Sequence, residues 1–362
     1  MRTYRHFVFL HLIFLTTVLR AQTLPALPPL VADNFAAPVR AQVVKAYAEA
    51  SARPRDAEAN GRLGMLLQTY EQYEAALVCF ARARWLAPQD FRWTYYTGLV
   101  RATLGDHGQA ILRFTDVVRQ KPDFTTAHIR LADSLFALNR WEECGGLYAA
   151  VLAKDARNAH AHYGLGRVWV ARRDSSAAIR HLLQAINLDP SFGAAHYALA
   201  IAYRDAGKIE QAKEHFALSQ QHKGERPPLD DQLLDAVEAL NVSAAEHLRR
   251  GVALDGAGNI EASITEHERA LQADSQLVQA HLNLILLYHR ANRFDKVEEH
   301  YRAAVNIDPR AAESHYNYGV ALVARNEFNE AAQAFLRALQ INPHYAEANH
   351  NYGVMLERKS PG

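Results

Sequence analysis

The chain has 362 residues, 49% hydrophobic and 22% charged, which excludes a disordered or collagen-like polymer and leaves room for more than one ordinary domain. Forty Lys and Arg stand against 39 Asp and Glu, a net charge of +1, so no global field draws the protein to nucleic acid or to an acidic membrane surface. Two cysteines, Cys79 and Cys144, are too few for a disulfide framework or a Cys-based zinc site, so packing must hold the fold.

Arg2 and Arg5 precede an uncharged run from Phe7 to Leu19 and then Arg20-Ala21-Gln22. This pattern predicts a secretory signal over residues 1–21. As a helix the run spans roughly 20 Å, short of the ~30 Å hydrocarbon core. The expected mature chain therefore has no membrane span and is exported, periplasmic or secreted; the alternative is a tether formed by an uncleaved segment. Residues 22–38 carry Pro25, Pro28, Pro29 and Pro38, which suits a linker. Val39, Val43, Val44, Tyr47 and Ala48 then recur at helical spacing before Pro54, predicting an amphipathic capping helix within 39–56.

From Ala57 the chain returns on itself every 34 residues, in blocks starting at 57, 91, 125, 159 and 193, then at 244, 278, 312 and 346. The eighth position of each block is small, as at Gly64, Gly98, Ala132, Gly166, Ala200, Gly251, Gly319 and Gly353, with Ile285 the departure. The twentieth is small or modest, from Ala76 to Ala331. The twenty-fourth is a large knob, as at Phe80, Phe114, Tyr148, Leu182, Phe216, Tyr301 and Phe335, with His267 the exception. Glycine or asparagine stands at the fifteenth position in six of eight full blocks, and these residues tolerate a left-handed helix end. Each block therefore reads as helix, tight turn, helix, turn.

These recurring positions resemble the tetratricopeptide repeat family over about residues 57–358. The resemblance implies an all-α fold, a right-handed α-solenoid of helix-turn-helix repeats. It implies too that the first helices line a concave groove that takes a protein or peptide, and it implies no chemistry.

The array over 57–226 holds five repeats, and that over 244–362 holds three and a final half-repeat. The block due at 227 starts half a period late. Pro227 and Pro228 break the pattern, and Leu229, Leu233, Leu234, Val237 and Leu240 form an apolar stripe. An extra spacer helix over 227–243 is expected, keeping the core continuous between two sub-arrays.

Histidine recurs at the fourth block position, as His128, His162, His196, His247, His281 and His315. One per layer cannot chelate, because neighbouring helices lie on the order of 10 Å apart and zinc needs ligand nitrogens within ~2.1 Å. A packing role between repeats is expected, with no metal and no cofactor. No constellation of acid, base and nucleophile emerges, so no catalytic residue is assigned.

The groove carries the candidate site. Positions two, five, six and nine of each first helix share one face. The first array places Tyr95, Tyr163 and Tyr197 at position five, Arg62, Tyr96 and Arg130 at position six, and Arg92 and Arg167 nearby. Tyrosine faces and arginine forks suit peptide or carboxylate recognition. The last three blocks instead place Asn283, Asn317 and Asn351 at position six. An asparagine amide can donate to a peptide carbonyl and accept from its N–H, so a ladder of them can hold an extended main chain. The ladder resembles that of the O-linked N-acetylglucosamine transferase superhelix, which implies peptide binding here and no sugar transfer. The expected function is a non-enzymatic scaffold for a peptide or partner protein, the alternative a recruiting arm for an enzyme whose catalytic part lies elsewhere.

Overall fold

The computed structural model describes residues 23–225 and 227–359; the expected signal segment lies outside them. A capping helix, α1 (Ala37–Ala52), is followed by five helix pairs: α2 (Ala57–Thr69) with α3 (Tyr73–Leu86), α4 (Phe91–Thr103) with α5 (His107–Gln120), α6 (Thr125–Ala137) with α7 (Trp141–Lys154), α8 (Ala159–Ala171) with α9 (Ser175–Leu188), and α10 (Gly193–Asp205) with α11 (Ile209–Gln221). A short helix, α12 (Gln232–Glu238), separates these from α13 (Ala244–Gly256) with α14 (Ile260–Ala273), α15 (Val278–Arg290) with α16 (Phe294–Ile307), α17 (Ala312–Ala324) with α18 (Phe328–Ile341), and a last helix α19 (Ala346–Lys359). All nine first helices begin where the 34-residue period puts them. No strand occurs among the described residues, and none of their helices is long and apolar enough to cross a membrane.

Local chemistry sets these boundaries. Asp56, Asp106, Asn158 and Asp174 cap α2, α5, α8 and α9, each side chain accepting a first-turn backbone N–H. All eight intrarepeat turns pass through a left-handed residue: Glu71, Gly105, Asn139, Arg173, Gly207, Gly258, Asn292 and Asn326. The turn geometry thus holds even where the sequence supplies Glu71 and Arg173, side chains that strain this conformation. Consecutive helices pack antiparallel, and first helices also touch the next first helix, which is how a solenoid grows.

Inside a repeat, the small eighth position faces the large knob at position twenty-four. A Cβ on Gly98 would lie 2.6 Å from the Phe114 ring, and one on Gly319 the same distance from Phe335. The glycine is what lets the ring seat against helix backbone. The core of the first array runs without interruption from Val39 on α1 to Val168 on α8.

The expected spacer is corrected by the structure. Among the described residues, α12 packs on α2 and α4 and forms no layer between α11 and α13. Its length also argues against stacking, since it has 7 residues where repeat helices have 13 or 14. The segment instead lies along the concave face of the first array, and Leu229, Leu233, Leu234, Val237, Leu240 and Val242 join that array's core. The stripe read from the sequence is real, but it is buried by insertion into the groove.

Candidate binding grooves

The segment 227–242, a strap, crosses the first groove against the direction of stacking. His160 on α8 hydrogen-bonds the Pro227 carbonyl through Nε2 at 2.9 Å, and the Thr126 hydroxyl on α6 donates to the Asp230 carbonyl. Further along, the Thr69 hydroxyl at the end of α2 donates to the Val237 carbonyl at 2.9 Å. Gln42 on α1 donates to the Leu240 carbonyl at 3.0 Å, and the Tyr70 hydroxyl accepts from the Val242 N–H at 3.1 Å. The strap therefore returns the chain to the α1 end of the first array before α13 begins.

Its centre is Asp231, 2% exposed. Oδ1 caps α12 by accepting from the Leu234 N–H at 3.2 Å. Oδ2 accepts from the Tyr95 hydroxyl at 2.6 Å and from Arg130 Nη2 at 2.9 Å. Burial raises the Tyr95 phenol well above its ordinary range and the Asp231 carboxylate adds to the effect, so it stays a donor. Arg130 Nε is buried and has no hydrogen-bond partner among the described residues.

Two of the candidate residues in the first array, Tyr95 and Arg130, are thus gathered on one carboxylate, and that carboxylate belongs to the chain itself. The others have different surroundings. Tyr96 is buried and stacks on Phe80 with centroids 5.4 Å apart. Arg92 bonds Asp90 and Glu58 and lies 4.7 Å from the Trp93 ring centroid. Arg167 bonds Asp133 at 2.5 Å and the Tyr148 hydroxyl at 3.0 Å, held against the Phe136 and Tyr163 rings. Tyr163 packs on Phe192 at 4.7 Å. Arg62 is exposed, and Tyr197, 51% exposed, lies beside Ile209 and Phe216 at the far end of the array.

The second groove has no such occupant among the described residues. Asn317 Nδ2 reaches back to the Leu282 carbonyl and Asn351 Nδ2 to the Tyr316 hydroxyl, both at 3.4 Å, while Asn283 accepts from Gln279 at 3.0 Å. Beside this row, three residues further on each first helix, stand Val252, Leu286, Val320 and Val354, exposed or half-buried. That aliphatic row is absent from the sequence reading, although it returns at the same 34-residue period. In the first array the matching positions are Met65, Leu99, Asp133, Arg167 and Ile201, so the row is broken there by two charged residues.

The histidines also have partners that sequence reasoning missed. Nδ1 of His162, His196 and His281 meets Nδ1 of His181, His215 and His300 at 3.3, 2.9 and 2.9 Å, and His247 meets Glu266 at 2.7 Å. Each pair lies within one repeat, 19 residues apart, which corrects the expectation of packing between repeats alone; Nε2 of His162 and His196 does reach carbonyls at the previous repeat's end. Nε2–H of His196 donates to the Pro190 carbonyl, so in the neutral pair its Nδ1 accepts from His215. Burial lowers His181, His215, His281 and His300, with the facing histidine adding for His181, His215 and His300, and His300 falls to about 4. Cys79 and Cys144 are fully buried, and burial pushes the Cys79 thiol up to about 12.

Three tetratricopeptide repeat models match residues 102–168, 170–225 with 248–309, and 312–345. The chain belongs to the tetratricopeptide repeat family. The repeats continue through 57–101, which those models leave unmatched. A barley protein, the probable UDP-N-acetylglucosamine–peptide N-acetylglucosaminyltransferase SPINDLY, is 29% identical over 49% of this chain and 18% of its own length. The human protein O-mannosyl-transferase TMTC3 is 23% identical over 52% of this chain and 19% of its own. The chain thus spans about a fifth of the length of these curated relatives, and the similarity runs through tetratricopeptide repeats. Among solved structures, MamA from Desulfovibrio magneticus RS-1 is similar, at 22% identity and a TM-score of 0.43, covering 46% of this chain and 94% of that one.

Proposed function

We propose that the protein is a non-enzymatic interaction scaffold whose second groove holds an extended segment of a partner protein. One observation carries this reading: Asn283 and Asn351, half-buried, stand in register with the buried Asn317 beside an aliphatic row that no segment of the chain covers among the described residues. The amides would hold the main chain of the ligand, and Val252, Leu286, Val320 and Val354 would take its small apolar side chains. Affinity then accumulates from many weak contacts with little demand on sequence. The charged-then-apolar N-terminus supports work outside the cytoplasm, in the cell envelope or secreted space.

Selection of a displayed random-peptide library on the full chain tests this. Selected peptides should bind Asn283→Ala/Asn317→Ala/Asn351→Ala about tenfold or more weaker than wild type, as expected for the loss of two or three net hydrogen bonds. Unchanged affinity in the triple variant would remove the ladder from the site. A second reading, the recruiting arm of a separately encoded transferase, is favoured by the transferases among the chain's relatives. It predicts that a catalytic subunit co-purifies with the chain.

A further inference from the structure

We infer that the first groove is a second docking site, for an acidic, leucine-rich helical segment of a partner protein, and that the strap 227–242 is its built-in competitor. The strap shows which chemistry the groove accepts. A carboxylate at position 231 meets Tyr95 and Arg130, and aliphatic side chains follow two, three, six and nine residues later at Leu233, Leu234, Val237 and Leu240. The segment has four acidic residues, Asp230, Asp231, Asp235 and Glu238, and no basic one.

Four features make the strap a weak occupant. Only Asp231 and Val237 are buried, while its leucines are half-covered and Gln232, Asp235, Ala236, Glu238 and Ala239 face solvent. Its helix has two turns, below the length at which a helix stands alone. Pro227 and Pro228 mark its upstream end, so it can lift without unwinding α11. The helices beneath, α1 to α10, also contact one another in succession without passing through it.

Asp231 also binds Arg130 imperfectly. Its Oδ1 is committed to the helix cap, so the guanidinium donates a single hydrogen bond, to Oδ2, and Nε is left buried without a partner among the described residues. A carboxylate with no capping duty can take Nη2 and Nε together, the geometry arginine is built for. A partner segment presenting such a carboxylate makes a bond that the strap forgoes, and this offsets the strap's advantage of being tethered in the same chain.

The probe is a labelled synthetic peptide with the sequence of residues 227–242, titrated onto the full chain. Wild type should bind it weakly, because the strap competes. A chain opened by Val237→Asp/Leu240→Asp should bind it at least tenfold tighter, and adding Arg130→Gln should reverse that gain. In the Asn283→Ala/Asn317→Ala/Asn351→Ala background, opening the strap should give the same gain, which separates this site from the second groove. Equal binding to wild-type and opened chains, or none to an opened chain of unaltered helix content, would overturn the proposal. Should the opened chain misfold, hydrogen exchange of the wild type decides: amides of 234–240 exchanging at least a hundredfold faster than those of α4 and α6 supports a displaceable strap, and equal protection refutes it.

Discussion

The two arrays are built from the same repeat and present opposite grooves. In the first, tyrosine and arginine on α4 and α6 converge on Asp231, and the face is covered by a segment of the chain. In the second, asparagine and aliphatic rows run along α15, α17 and α19 with no such cover among the described residues. The repeat therefore fixes the trough, and the residues at positions five and six decide whether the trough is occupied from within.

The sharpest break of that contrast is Asp231→Ala. It leaves Arg130 and Tyr95 facing a buried position without their acceptor, and breaking a buried pair from one side costs about 3–5 kcal/mol. The Arg130 side chain keeps 28% exposure. Partial solvation reduces the expected loss to about 2 kcal/mol, read as a lower urea midpoint together with loss of protection in α12. Asn283→Ala, in the second groove, should change the unfolding free energy by no more than about 0.5 kcal/mol.

Acidification separates the arrays by a smaller margin. His181, His215, His281 and His300 have folded-state values below that of an unfolded histidine, so the unfolded chain takes up more protons as the pH falls. Their stabilisation is complete above about pH 6.5 and is lost below it, through about pH 4 for His300. The second array, which holds His281 and His300, should lose exchange protection first between pH 6.5 and 4.5. His300→Gln should flatten the fall of Tm with pH in that window.

The smallest effect sharpens the contrast in the turns. Glu71 and Arg173 hold left-handed conformations in the first array, where the second has Gly258, Asn292 and Asn326. Glu71→Gly and Arg173→Gly should each stabilise the first array by about 0.5–1 kcal/mol, the relief of left-handed strain exceeding the entropy of an added glycine. Asn292→Gly should change little, and thermal unfolding distinguishes the three.

The fold was legible because several size-restricted positions had to recur together: a glycine under Phe114 and one under Phe335 mark the same packing 221 residues apart. The path of residues 227–242 was not. Leu233, Leu234 and Val237 form the same apolar stripe whether the helix stacks between repeats or lies in a groove, and a half-period gap fits one stacked helix. Only the long-range bonds from Asp231 to Tyr95 and Arg130 distinguish the two, and no local pattern encodes them. Two signals could have been found: the histidine pairs at a constant spacing of 19 residues, and the aliphatic row beside the asparagines. Both are periodic, and both emerge when position twenty-three or nine is followed down the blocks.

The first groove is filled by the chain itself, and arginine-selective labelling with a glyoxal reagent reads that occupancy directly. Arg62 is exposed, Arg130 is held under the strap, and Arg167 is held by Asp133 and Tyr148 in contacts that do not involve the strap. In the intact chain Arg62 should label quickly and Arg130 and Arg167 slowly; replacing residues 229–240 by a Gly/Ser linker should raise Arg130 to the rate of Arg62 and leave Arg167 slow. Rapid labelling of Arg130 in the intact chain, or no change on replacing the strap, would contradict the account.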